Sequence, residues 1–393
     1  MVISLEILLG GAAILLLLPV AVLFIEVALA VTMHGLNLGK LGARGSLAIV
    51  VPAHNEASMI AGTLRSILPD LGPSDRLLVV ADNCSDETAT IASASGAETI
   101  VRTDETRRGK GYALDFGIRH LARAAPDVVI VIDADCQVAA GAIDRLARIC
   151  MYTARPVQAL YLMYSPPDAG LMTRIAEFAW VVKNQVRPLG AHRLGLSCQL
   201  MGTGMAFPWS CISTANLASG HIVEDLKLGL ELVRAGSPPL FCPYALVTSV
   251  FPASKDGIQS QRARWEHGHL GVIASELPRL FLDSVARRNI QLLAAALDLS
   301  VPPLALLVLQ VTGVWCVSLL LYFFTRALIP LSIASVAALF FFVSVLLAWA
   351  RYGRRIISLG SLALGAVYAF WKIPLYARFL VARQVNWVRS KRD

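Results

Sequence analysis

Apolar positions dominate both ends of the chain, and a more mixed pattern fills the middle. Residues 5–33 form an apolar run with Pro19 and Glu26 inside it, longer than the roughly 20 residues that a membrane-spanning helix needs. No Lys or Arg precedes this run, whereas Lys40 and Arg44 follow it. A cleaved leader would show the reverse order, so the pattern predicts a retained anchor with residue 34 onward inside the cell.

From residue 47 short apolar runs alternate with helical patterns. Strands are predicted at 47–51, 77–81, 99–102 and 128–132. Helices are predicted at 57–68, from 86 to 95 and from about 110 to 123, with Ser85 or Asp86 able to cap the second. The run Val128-Val129-Ile130-Val131-Ile132 is β-branched throughout, as in a strand buried on both faces of a parallel sheet. Alternation of this kind predicts an α/β domain with a mostly parallel sheet covered by helices.

The segment 150–222 is less regular. A strand is predicted at 160–165, a helix at 172–186, and a strand at 200–207 carrying Gly202 and Gly204. Glycines inside a strand mark either a bulge or a close backbone approach, and the pattern leaves both open. Asn184 and the polar residues 187–193 have no role legible from the pattern. A helix is predicted from Glu224 to about residue 235, stopped by Gly236 and Pro238. A basic amphipathic helix follows at 259–282.

Beyond Arg288 the apolar pattern returns, with spans predicted at 301–324 and 331–350. Residues 356–380 are apolar but contain Lys372, Pro374 and Arg378, and a third span there would carry the basic residues Arg389 to Arg392 outside. The positive-inside tendency favours a helix lying in the cytoplasmic interface instead. The expected organisation is an anchor at 1–34, a cytoplasmic domain at 45–250, interfacial helices at 251–290 and a membrane region at 291–393.

Composition fits this division: 56% of residues are hydrophobic, 16% are charged and the mean hydropathy is +0.62. The net charge of +8 raises nucleic acid as a partner. However, Lys40, Arg44, Arg351, Arg354, Arg355, Arg389, Lys391 and Arg392 flank apolar segments, a placement that points to an anionic membrane surface. Seven scattered cysteines without a Cys-x-x-Cys pair read as reduced residues in a cytoplasmic setting.

The chemistry gathers at the predicted strand ends. In open α/β sheets ligands bind beyond the carboxyl ends of the strands, where this chain places Pro52, His54, Glu56, Asp82, Asp133 and Asp135. A spacing of two puts Asp133 and Asp135 on one side of an extended chain, where hard oxygens can share a divalent cation. Lys110 adds a compact positive charge. No Gly-x-x-x-x-Gly-Lys-Ser/Thr loop occurs and no Gly-x-Gly-x-x-Gly follows the first strand, which disfavours P-loop and dinucleotide-binding chemistry. Glu224 and Asp225 fall in a first helical turn, where two acids can simply complement the helix dipole.

Taken in order, Val51-Pro52-Ala53-His54-Asn55-Glu56, Ala81-Asp82-Asn83-Cys84-Ser85-Asp86, Arg108-Gly109-Lys110-Gly111 and Asp133-Ala134-Asp135 resemble the successive motifs of family 2 glycosyltransferases. Glu224-Asp225 followed by Gln261-Arg262-Ala263-Arg264-Trp265 is similar to the membrane-embedded branch that includes cellulose, chitin and hyaluronan synthases and ceramide glucosyltransferases. The resemblance implies a nucleotide-sugar-binding, GT-A-like domain with Mg²⁺ or Mn²⁺ on Asp135, supported by Asp133. Pro52, His54, Glu56 and Asp82 would hold the nucleoside, and Lys110, Gln261 and Arg264 the diphosphate. Asp225 would be the base, with Glu224 as its neighbour, because an acceptor hydroxyl with a pKa far above 7 needs a positioned carboxylate. Trp265, Gly202 and Gly204 would line the acceptor side.

The function so implied is inverting, metal-dependent transfer from a nucleotide donor, a UDP-sugar, at the cytoplasmic membrane face in cell-surface polysaccharide synthesis. The acceptor is lipid-linked or a polysaccharide. A processive synthase with export or polymerisation partners is one alternative, and a non-catalytic nucleotide-sugar binder is another. Asn83 stands where many relatives carry a second Asp.

Overall fold

The computed structural model describes residues 2–32, 42–252 and 254–381. Lys40 and the basic residues Arg389 to Arg392 lie outside them. The chain divides into two compact units.

Among the described residues, the sheet unit comprises 42–166, 196–252 and 254–268. Its eight strands are β1 (Leu47–Ala53), β2 (Arg76–Asp82), β3 (Glu98–Arg102), β4 (Val128–Val131), β5 (Gln137–Val138), β6 (Val157–Tyr164), β7 (Met205–Pro208) and β8 (Leu240–Val250), in the order β3-β2-β1-β4-β7-β6-β8-β5. The first four are parallel, with Ile49 opposite both Leu77 and Ile130. β7 then runs antiparallel to β4 and β6, β8 pairs parallel with β6 around a bulge at Ala159/Leu160, and β5 closes the edge antiparallel to β8. The β-branched run of β4 is fully buried in the middle of this sheet, as its composition demands.

Helix Lys110–Leu121 covers β1 and β2 by burying Leu114, Ile118 and Leu121 against Val50, Leu78 and Val80. Gly117 makes this approach possible, because a Cβ there would come within 2.9 Å of Val80. The strand predicted at 200–207, which carries Gly202 and Gly204, is shorter than its pattern predicts. Only Met205–Pro208 is extended, and 196–204 is a loop.

Among the described residues, the helical unit comprises 2–32, 167–195 and 269–381. Among the described residues, three helices of this unit are long and apolar enough to cross a membrane: Ser4–Thr32, Leu304–Thr325 and Leu328–Gly353. Residues 359–381 do not form one continuous helix but three short ones, Leu359–Ala363, Gly365–Trp371 and Ile373–Val381. Helices Leu171–Val181 and Arg187–Arg193, joined by a π-helical turn at Val182–Val186, belong to this unit. Gly190 packs so close to helix Val2–Thr32 that a Cβ would fall 2.0 Å from the Glu26 carbonyl oxygen. Arg187 is buried there between Glu26 (2.7 Å) and Asp298 (2.6 Å).

Candidate active site

Three parallel strands end side by side, and the loops beyond β1, β2 and β4 form the walls of one cleft of about 180 Å³. Each loop is fixed by side chains rather than by regular structure. Asn55 and Asn83 adopt left-handed φ values of 56° and 51°, a conformation to which Asn is better suited than most residues. Asn55 Oδ1 accepts from the Ser85 amide at 2.7 Å, and Asn83 Oδ1 from the Asp104 amide at 2.8 Å. Asn83 Nδ2 also donates to Asp82 Oδ1 at 3.0 Å. The asparagine that departs from the family pattern therefore ties the β2 loop to the β3 loop.

Asp82 is buried, and Arg102 donates to its Oδ1 at 2.6 Å while also reaching Asp104 at 3.0 Å. The parallel register places Arg102 directly opposite Asp82. Its guanidinium lies over the Tyr112 ring, 5.6 Å from the centroid. His54 Nδ1 lies 2.7 Å from the Asp82 carbonyl oxygen.

The Asp133-Ala134-Asp135 turn is anchored from below by buried groups that no motif announces. Thr63 Oγ1 donates to the Ala134 carbonyl at 2.7 Å, and the Asp133 amide donates to Thr203 Oγ1 at 3.0 Å. Gln158 spans the other side, with its amide donating to the Thr203 carbonyl at 2.9 Å and accepting from the Met201 amide at 2.8 Å. Thr63, Gln158 and Thr203 are each fully buried. Polar groups so buried are retained only when paired, and here the pairs hold two turns of the site together.

Gly202, with φ +91°, is the meeting point. A Cβ at this position would lie 3.3 Å from Asp225 Oδ2, 3.5 Å from Lys110 Nζ and 3.9 Å from Asp133 Oδ2. Lys110 forms an ion pair with Asp133 and donates to the Gly202 carbonyl at 2.7 Å. Burial works against its charge, yet Asp133, Glu224 and Asp225 outweigh that cost and raise the Lys110 pKa. Burial lowers the Arg264 pKa, with Glu224, Asp133 and Asp225 opposing. Glu224 is pushed up to about 7, first by burial and then by Asp225 beside it. A second, smaller cavity lies under Glu224 and Asp225, between Leu114, Met205 and Leu217.

Of the residues singled out by sequence, Pro52, His54, Glu56, Asp82, Lys110, Asp133, Asp135 and Arg264 all line the cleft. Arg108 and Asn83 line it too. Gln261 is 2% exposed and Trp265 is half-buried, and neither is among the lining residues. Gly204 faces Ala159 and Val247, where a Cβ would meet the Ala159 methyl at 2.6 Å, so its smallness serves the sheet. Asp133 and Asp135 offer hard oxygens suited to Mg²⁺ or Mn²⁺. No group of three His, Cys, Asp or Glu side chains is placed to hold a metal among the described residues. The donor set therefore fits a cation that completes its shell with phosphate oxygens, as Mg²⁺ commonly does.

Comparison with known proteins identifies the family and the fold. Residues 43–268 match the family described as glycosyltransferase like family 2. The probable glycosyltransferase YdaM of Bacillus subtilis (strain 168) is 25% identical over 246 residues, 60% of this chain and 58% of that protein. Glucosyl-3-phosphoglycerate synthase of Mycobacterium tuberculosis is 36% identical over 110 residues, 26% of this chain and 33% of that protein. The chain thus spans less than two thirds of the length of either relative. Among solved structures, the mannosyltransferase PcManGT of Pyrobaculum calidifontis, in complex with GDP-Man and Mn²⁺, superposes with a TM-score of 0.53 at 17% identity, over 95% of this chain and 97% of that one. The sheet unit has a GT-A-like fold, and the chain belongs to the glycosyltransferase-like family 2.

Proposed function

We propose that the protein transfers a sugar, with inversion, from a nucleotide donor to a lipid-linked or polysaccharide acceptor at the cytoplasmic membrane face. The observation that carries this reading is the convergence of Asp225, Lys110 and Asp133 around Gly202 at a cleft lined by Asp82, Asp135 and Arg264. The donor is a UDP-sugar in this reading, with its nucleoside in the wall formed by His54, Glu56 and Asp82. Lys110 and Arg264 hold the diphosphate, Lys110 as a point charge and Arg264 as a planar fork able to make two bonds at once. Asp135, with Asp133, holds Mg²⁺ or Mn²⁺, the latter being the ion named with PcManGT. A divalent cation bound there supplies positive charge that offsets the charge growing on the departing diphosphate. Asp225 accepts the proton of the acceptor hydroxyl as it attacks the anomeric carbon from the face opposite the diphosphate.

Three candidate spans among the described residues suit addition of a single sugar to a lipid-linked acceptor. A processive synthase would need export or polymerisation partners to complete a channel. Product length from purified protein and labelled donor separates the two, because one added sugar supports the first and a ladder the second. Asp225→Asn is expected to lower transfer by about 10²–10⁴-fold while UDP binding survives. Near-normal release of UDP by that variant would remove Asp225 from the role of base.

A further inference from the structure

Lys110 and the cation compete for the same carboxylate. The ammonium is paired with Asp133 Oδ1 and bonded to the Gly202 carbonyl oxygen at 2.7 Å, while Asp133 and Asp135 are the only acids of the Asp-x-Asp turn. A carboxylate in contact with an ammonium offers less negative charge to a cation, and the ammonium itself repels a cation brought close. No third acid, histidine or cysteine joins them in metal-holding geometry among the described residues. Protein oxygens alone therefore leave the site short of ligands and partly neutralised.

We infer that Lys110 closes the cation site in the ligand-free protein, and that the diphosphate of the donor opens it by drawing the ammonium away from Asp133. This inference rests on the transferase reading given above. Lys110 lines the cleft in which the diphosphate would lie, on a flexible stem with three rotatable donors. A diphosphate offers more charge and more acceptor oxygens than one carboxylate, so it wins the exchange through charge-assisted bonds. The Gly202 carbonyl can remain bonded throughout as a pivot, because that bond is to a neutral group and glycine places no side chain beside Nζ. Asp133 is then released toward the cation at the moment when phosphate oxygens arrive to complete its shell. The order of loading follows: nucleotide first, cation second. Lys110 is thus a positioning residue for Asp133 as well as a donor contact.

The test is a Mn²⁺ titration of the full chain in detergent, with free Mn²⁺ read by electron paramagnetic resonance, performed alone, with UDP and with GDP. Wild type is expected to bind Mn²⁺ weakly alone. Lys110→Met is expected to bind Mn²⁺ alone about tenfold more tightly than wild type and to lose a similar factor of nucleotide–metal coupling. Lys110→Gln, which keeps a donor for the Gly202 carbonyl, should behave likewise and is measured beside it. An unchanged or weaker Mn²⁺ affinity in both variants overturns the exchange and leaves the transferase reading intact. Failure of wild type to bind either nucleotide, with or without Mn²⁺, overturns the transferase reading instead.

Discussion

In the proposed mechanism the adjacent acids in the first turn of helix Glu224–Arg234 have different roles. Burial and the neighbouring Asp225 push Glu224 up to about 7, so near neutral pH it passes from uncharged to charged. Once ionised, it places a second negative charge beside Asp225, the base of the proposed mechanism. A rise in transfer rate through about pH 7 is expected in wild type, and Glu224→Gln should flatten it when initial rates are measured from pH 5.5 to 8.5. The same group acts on stability with a definite sign. The folded state binds its proton more tightly than the unfolded chain, so its contribution falls as pH rises from the ordinary 4.5 toward 7 and is level above. Glu224→Gln is therefore expected to be more stable than wild type at pH 8, on the order of 1 kcal/mol given the partial exposure of Glu224, with the difference vanishing near pH 4. Thermal melts at both pH values check this. The acids that line the cleft were legible because residue type and strand end coincide at Asp82, Asp133 and Asp135. Arg102 was not, because an arginine ending a strand reads as a solvent cap until the register with β2 sets it against Asp82. Thr63, Gln158 and Thr203 were hidden for the same reason: the partners described above lie 43 to 71 residues away.

At the scale of elements, the parallel half of the sheet followed from alternation alone, and its four strands lie within a residue or two of their apolar runs. The mixed half followed only in part: β6 falls on the run predicted at 160–165, whereas β5 and β8 lie where no strand was predicted. The pattern at 200–207 is apolar apart from Thr203 and the two glycines, yet Gly202 and Gly204 take left-handed φ values and leave only Met205–Pro208 to pair. The loop leading to Glu224 shows how one small residue can set an element's path. A Cβ on Gly111 would fall 2.5 Å from the Leu217 carbonyl oxygen and 2.6 Å from that of Ser219. Both neighbours are backbone, so Gly111→Ala must displace the loop. A loss of about 1–3 kcal/mol is expected from such overpacking, with transfer falling more than UDP affinity because the loop feeds Glu224 and Asp225. Isothermal titration with UDP beside a rate assay measures both.

For the whole molecule, the division into units is where sequence order misleads. Residues 167–195 interrupt the sheet unit in sequence but pack with helix Val2–Thr32. Arg187 could be given no role from its neighbours in sequence, because its partners Glu26 and Asp298 lie 161 and 111 residues away. Removing one member of such a buried group strands the others, at about 3–5 kcal/mol. Arg187→Ala is accordingly expected to lower the melting temperature markedly in detergent, and Glu26→Gln with Asp298→Asn in the same background should recover part of the loss. The interruption has a further consequence for how the protein can be divided. The chain leaves the sheet unit after Pro166 and re-enters it at Leu196, so no single cut near residue 34 or 268 releases a self-contained catalytic fragment. A 35–268 fragment would carry Ile175, Phe178, Val181 and Val186, all buried in the intact protein, without the helices that cover them. A fragment built on the sheet unit alone would therefore have to omit 167–195 and join residue 166 to residue 196.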